Sequence, residues 1–141
     1  MNRSKLPVAE ALFTGLIVRD AMHDGIATCP PTASLREIAD LLAEHHIHCA
    51  VVTEHPHGEE SSTVWGIVSD LDLMRGLGSP VPLTAGNLAA LDVVTVRPDD
   101  ALGRAAQLMA EHDVAHLIVL EEGDPVGILS TLDVAQAVAR T

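Results

Sequence analysis

Gly66-Ile67-Val68-Ser69-Asp70-Leu71-Asp72 is answered further along the chain by Gly127-Ile128-Leu129-Ser130-Thr131-Leu132-Asp133. Each copy reads as a short buried strand that stops at a hydroxyl, turns, and starts a helix with a carboxylate three residues after that hydroxyl. Taken alone, Ser-x-x-Asp is an ordinary capping arrangement at a helix start. Its recurrence organises the rest of the chain.

Working outward, an offset of 67 residues places Thr28 on Thr95, Pro31 on Pro98, Leu35 on Leu102, Leu41 on Leu108, Glu44-His45 on Glu111-His112 and Val52 on Val119. The glycines opening the two motifs differ by only 61, so the loop between the apolar strands is six residues longer in the first half. That loop, residues 55–62, is polar and holds Pro56 and Gly58; its counterpart, Glu121-Glu122-Gly123-Asp124-Pro125, is a compact turn.

Within the first half, Ile26 to Thr28 reads as a brief strand ended by Pro30-Pro31. Ser34-Leu35-Arg36-Glu37 is a capping box, and Leu35, Ile38, Leu41 and Leu42 at helical spacing carry a helix to about His46. Cys49 to Val52 and Val64 to Ser69 read as strands, and Asp70 to about Leu77 as a short helix. Each repeat is therefore β-α-β-β-α, and the fold class is α/β. A unit of about 60 residues buries too little alone, so the two repeats are expected to pack about a pseudo-twofold axis. The division is an N-terminal arm or short helix at 1–16, repeat 1 at 17–77, a Gly/Ser/Pro linker at 78–83 and repeat 2 at 84–141.

Twenty acidic against eight basic residues give a formal charge of −12, which repels nucleic-acid backbones and anionic membranes. Phe13 and Trp65 are the only aromatic residues, so stacked platforms for bases have nothing to build on. No stretch approaches the ~18 uninterrupted apolar residues of a membrane span. Neither nucleic acid nor membrane is expected as a partner; two cysteines, Cys29 and Cys49, make no disulfide framework and are expected as buried thiols in a reducing cytoplasm.

His45, His46, His48, Cys49, His55 and His57 form a second constellation. Their spacing sends neighbouring side chains in different directions on a helix end and a strand, so no preformed metal site is expected. His45 and His112 suit helix C-termini instead, where a partly protonated imidazole is favourable. No Ser-His-Asp, Cys-His or phosphate-loop pattern appears, and no enzyme activity is expected.

With its Val18-x-Asp20-x-Met22 lead-in, Thr28 and Thr95 before the prolines, two apolar second strands and the doubled Gly-Ile-x-Ser-x-x-Asp, the sequence resembles a tandem pair of CBS domains, a Bateman module, over residues of about 17–140. The resemblance implies a non-catalytic regulatory module that requires no cofactor but holds AMP, ADP, ATP or S-adenosylmethionine in clefts that cross repeats. It would place one site among Ile26, Thr28, Cys49, Val51, Ser130 and Asp133. The other would use Val93, Thr95, His116, Ile118, Ser69 and Asp72.

These residues suit such a ligand. A carboxylate at Asp72 or Asp133 can accept from both hydroxyls of a ribose, and Ser69 and Ser130 stand where a hydroxyl and free N–H groups can hold a 5′ substituent. The sequence departs from the common family pattern at Val51 and Ile118, where many members carry proline. Arg19, Arg75 and Arg97 are the few basic residues near the phosphate positions, so an AMP-like or S-adenosylmethionine-like ligand fits better than ATP. A homodimer is expected through Leu71, Leu73, Met74, Val134 and Val138 on the two post-motif helices, with an effector on a separate chain. The alternative is a ligand-free dimerisation or docking module.

Overall fold

The computed structural model describes residues 13–55 and 63–140. In chain order its elements are α1 (Val18–Ala21), β1 (His23–Asp24), β2 (Thr28–Cys29), α2 (Leu35–His45), β3 (Cys49–Glu54), β4 (Thr63–Ser69), α3 (Asp70–Leu77), α4 (Ala85–Leu88), β5 (Thr95–Val96), α5 (Leu102–His112), β6 (His116–Glu121), β7 (Asp124–Ser130) and α6 (Thr131–Ala139). They form two compact units: a contiguous one, Ile26–Val93, and a discontinuous one that joins the chain up to Gly25 with Val94–Thr141.

In the contiguous unit, the Ser34 hydroxyl accepts from the Glu37 N–H at 3.1 Å and Glu37 Oε1 accepts from the Ser34 N–H at 3.1 Å, the expected capping box. It starts α2 in phase to bury Ile38 and Leu42. The helix stops at His46, whose left-handed backbone (φ 52°) turns the chain into β3. β3 is buried over five consecutive residues, as a central strand should be, and runs parallel to β2 and antiparallel to β4. Ala50, Val52, Val68, Ile38, Leu42, Leu73 and Ala85 share the core.

The discontinuous unit repeats this plan with β5, α5, β6, β7 and α6 around Val96, Leu102, Ala105, Met109, Leu117, Val119, Leu129 and Ala137. Its β6–β7 turn places Glu122 (φ 52°) and Gly123 (φ 85°) in the left-handed region, the geometry of a tight two-residue hairpin. The β-α-β-β-α order thus recurs as read from sequence. Residues 1–12 of the anticipated arm and most of the long polar loop, 56–62, lie outside the described residues.

The lead-ins were not legible in this form. Val18–Ala21 is a short helix whose Val18 is fully buried in the core of the discontinuous unit, and β1 pairs antiparallel with β7. Correspondingly, α4 and Ala90 belong to the contiguous unit, where Ala90 and Ile67 exchange hydrogen bonds of 2.9 and 3.1 Å. Each compact unit therefore carries the lead-in that precedes the other repeat. This arrangement explains the glycines that open the motifs: a Cβ at Gly66 would lie 2.5 Å from the Ala90 carbonyl oxygen, and one at Gly127 would lie 2.5 Å from that of His23. Among the described residues, no helix is long and apolar enough to cross a membrane.

Candidate functional site

The two Ser-x-x-Asp motifs make the same capping bonds. Ser69 Oγ accepts from the Asp72 N–H at 3.1 Å while Asp72 Oδ2 accepts from the Ser69 N–H at 2.9 Å. Ser130 Oγ and Asp133 Oδ2 do the same at 3.1 and 2.8 Å. Capping therefore occupies one oxygen of each carboxylate and fixes its position in the first turn of α3 or α6, where the helix dipole favours the negative charge.

The second oxygens differ. Asp72 Oδ1 lies 3.2 Å from Arg75 Nη1, and the carboxylate stays partly open, with 17% of its side chain exposed. Asp133 Oδ1 lies 2.9 Å from His23 Nδ1, and only 2% of its side chain is exposed. His23 had no signal in the sequence: it lies in no motif, and its role depends on the β1–β7 pairing.

The strands bring equivalent partners to the motifs. Cys49 stands opposite Ser69 in the β3–β4 ladder and His116 opposite Ser130 in β6–β7. Thr28 pairs with Val51 and Thr95 with Ile118 across the parallel ladders. Of the first anticipated set, Ile26, Thr28, Cys49 and Val51 lie in the contiguous unit, and Ser130 and Asp133 in the discontinuous one. Of the second, Val93, Ser69 and Asp72 lie in the contiguous unit, and Thr95, His116 and Ile118 in the other. Thr28 and Thr95 are exposed, whereas Val51 and Ile118 are wholly buried. A cavity of about 540 Å³ in the discontinuous unit, lined by Phe13, Leu16, Ile17, Ala101, Arg104 and Gln107, contains none of these twelve residues.

Of the basic residues considered for an anionic group, Arg19 bonds to Glu121 at 3.3 Å and approaches Asp99 at 3.5 Å, a pairing that raises its pKa, the hydrogen bond to Glu121 foremost. Arg75 faces Asp72, and Arg97 is exposed. His45 and His112 are the last residues of α2 and α5, as anticipated for C-terminal imidazoles. Among the described residues, no three His, Cys, Asp or Glu side chains gather as a metal ion would require; His57 lies outside them.

Both cysteines are unpaired and buried. Burial first, and then the charge of Asp70, pushes the Cys49 thiol up to about 12; burial and then Glu37 raise Cys29. A raised pKa favours the protonated, unreactive thiol, so this stabilising contribution is complete below the unfolded thiol's pKa of about 8.5 and declines as pH rises toward 12. At pH 8, dithionitrobenzoate should leave Cys49 of the folded chain unmodified and titrate it fully in guanidinium. Rapid release of thionitrobenzoate from the native protein would contradict this placement.

A family model described as "CBS domain" matches residues 18–79 and again 85–140. The CBS domain-containing protein YhcV of Bacillus subtilis is 26% identical over 123 residues, covering 84% of this chain and 82% of that protein. Homoserine O-acetyltransferase of Methanohalophilus mahii is 28% identical over 142 residues, covering 99% of this chain. The chain spans only 28% of that enzyme's length and 23% of its Methanocorpusculum labreanum counterpart. Among solved structures, the CBS domain pair of protein MJ0100 in complex with 5′-methylthioadenosine and S-adenosyl-L-methionine has a TM-score of 0.77 at 21% identity, covering 88% of this chain and 96% of that one. CBSX2 in complex with AMP has a TM-score of 0.73 at 25% identity, covering 89% and 98%.

Proposed function

Because the chain belongs to the CBS domain family, with two repeats matched, we propose that it is a regulatory module that senses an adenosine-type small molecule and passes its occupancy to a partner protein. The observation that carries this reading is the duplicated motif: two carboxylates, Asp72 and Asp133, each held by its own capping box at a helix start beside a serine hydroxyl. Ribose hydroxyls are donors that such a carboxylate can bind in pairs, and the capping bonds fix its geometry before the ligand arrives. The complexes of MJ0100 and CBSX2 with adenosine derivatives support the ligand class.

An AMP-like or S-adenosylmethionine-like ligand fits better than ATP. The net charge of −12 opposes a polyphosphate, and Arg19 and Arg75 already face carboxylates. Assembly as a homodimer through α3 and α6 completes the reading. Leu71, Met74 and Leu132 are each more than half exposed and supply apolar surface, whereas Leu73 is buried within its own unit and contributes none.

A ligand-free docking module is the second reading, favoured by the fact that each carboxylate already has a cap and a side-chain partner. Thermal shift with AMP, ADP, ATP, adenosine and S-adenosylmethionine separates the two. A ligand at a hundred times its Kd should stabilise the fold by about 2.7 kcal/mol, and Asp72→Ala should remove most of that gain. No shift with any of the five at millimolar concentration would leave docking as the function.

A further inference from the structure

The two repeats align residue for residue around the motifs, yet the residue laid against each motif by the exchanged lead-in is His23 in one unit and Ala90 in the other. Their backbones are placed alike: each carbonyl oxygen lies 2.5 Å from where a Cβ of the motif glycine would be, Gly127 or Gly66. His23 pairs with Ile128 as Ala90 pairs with Ile67. Only the side chains differ.

At Asp133 the His23 Nδ1 lies 2.9 Å from Oδ1; 2% of the carboxylate's side chain is exposed, while the His23 side chain is itself 72% exposed and faces water. At Asp72 an alanine methyl cannot reach the carboxylate. Oδ1 meets Arg75 from its own helix instead, and that guanidinium is 67% exposed. Both partners, Arg75 and His23, are exposed, so what separates the two motifs is the carboxylate: Asp72 keeps an open side and a partner from its own helix, whereas Asp133 is buried and its partner comes from a second element, β1.

We propose that His23 is a latch on the Asp133 motif, which makes the two adenosine sites unequal: at Asp72 the ligand meets a carboxylate that is still partly open and has only the exposed Arg75 side chain to move aside, and the Asp133 site binds only when the His23 side chain is displaced. This inference rests on the proposed sensing of an adenosine-type ligand. His23 acts as a specificity-determining residue by competing with the ribose hydroxyls for Asp133 Oδ1. The loss of one charged hydrogen bond to the ligand amounts to about tenfold or more in affinity.

Titration calorimetry with AMP, and separately with S-adenosyl-L-methionine, tests the latch on the full chain. The wild type should bind one equivalent per chain tightly, with any second event at least about tenfold weaker. His23→Ala should bring the second event to within about threefold of the first. The alanine is tolerated by the fold, since Ala90 occupies the equivalent place. The reciprocal Ala90→His should weaken the first event about tenfold. Two equal sites in the wild type, or a His23→Ala titration that matches the wild type, would overturn the latch while leaving sensing intact. Failure of both ligands to bind wild type, His23→Ala and Ala90→His alike would overturn sensing itself, and the latch with it.

Discussion

Deleting residues 1–25 should strip hydrogen-exchange protection from β6 and β7 while β3 and β4 stay protected. The deletion falls outside both strand pairs, and in the order of the sequence it truncates repeat 1. The structural consequence lies elsewhere, because Val18 is fully buried among Leu102, Leu117 and Leu129 of the discontinuous unit. The Val18 and Arg19 N–H groups donate to the Asp100 and Pro98 carbonyls at 2.9 Å, Leu102 N–H donates to Leu16 at 3.0 Å, and Gly25 N–H donates to Val126 at 2.9 Å. β1 also covers one edge of β7.

Burial of Val18 alone is worth roughly 1.5–3 kcal/mol, and uncovering its neighbours and the β7 edge adds to that. Against a typical stability of about 5–15 kcal/mol, a loss of this size exposes that unit selectively. Exchange measured by mass spectrometry on the deletion variant checks it. Loss of protection in β3 and β4, with β6 and β7 unchanged, would mean that each lead-in belongs to the repeat it precedes.

Gly127→Ala should lower stability by about 3 kcal/mol, near the upper end of overpacking penalties, and Tm by about 10 °C. The new Cβ would sit 2.5 Å from the His23 carbonyl oxygen and 3.2 Å from the Met22 sulfur. Backbone cannot rotate away as a side-chain tip can, so either β1 leaves β7 or the strand bends. Gly78→Ala is the control: its Cβ would meet nothing closer than 3.6 Å, its φ of −85° suits any residue, and its Tm should stay within about 2 °C of the wild type. Comparable melting of the two variants would show that the close approach at Gly127 is not a constraint.

Most of the fold was legible because its signals are local. The Ser34 and Glu37 spacing, the apolar run at Cys49 to Val52 and the two Ser-x-x-Asp motifs each declare an element without help from distant residues, and α3 has the anticipated bounds Asp70–Leu77. The short helices α1 and α4 were not visible, since four residues carry no helical periodicity. β1 is two exposed residues with no alternation, so nothing in His23-Asp24 announced a strand. The same limit hid the partner of Asp133. Its capping serine is three residues away and could be read, whereas His23 reaches it only through a ladder that joins opposite ends of the chain.

The exchanged lead-ins also set an order of assembly. Ile26–Val93 is continuous, so during synthesis it can close as soon as α4 and Ala90 have left the ribosome. Val18 and β1 emerge before it, yet their partners Leu117, Leu129 and β7 are made about a hundred residues later. At roughly 5–20 residues per second, that segment waits on the order of 5–20 s with its apolar side chains uncovered. The interior unit is thus the natural first folder, and the segment that carries Val18 and β1 is held in reserve until β7 has been made.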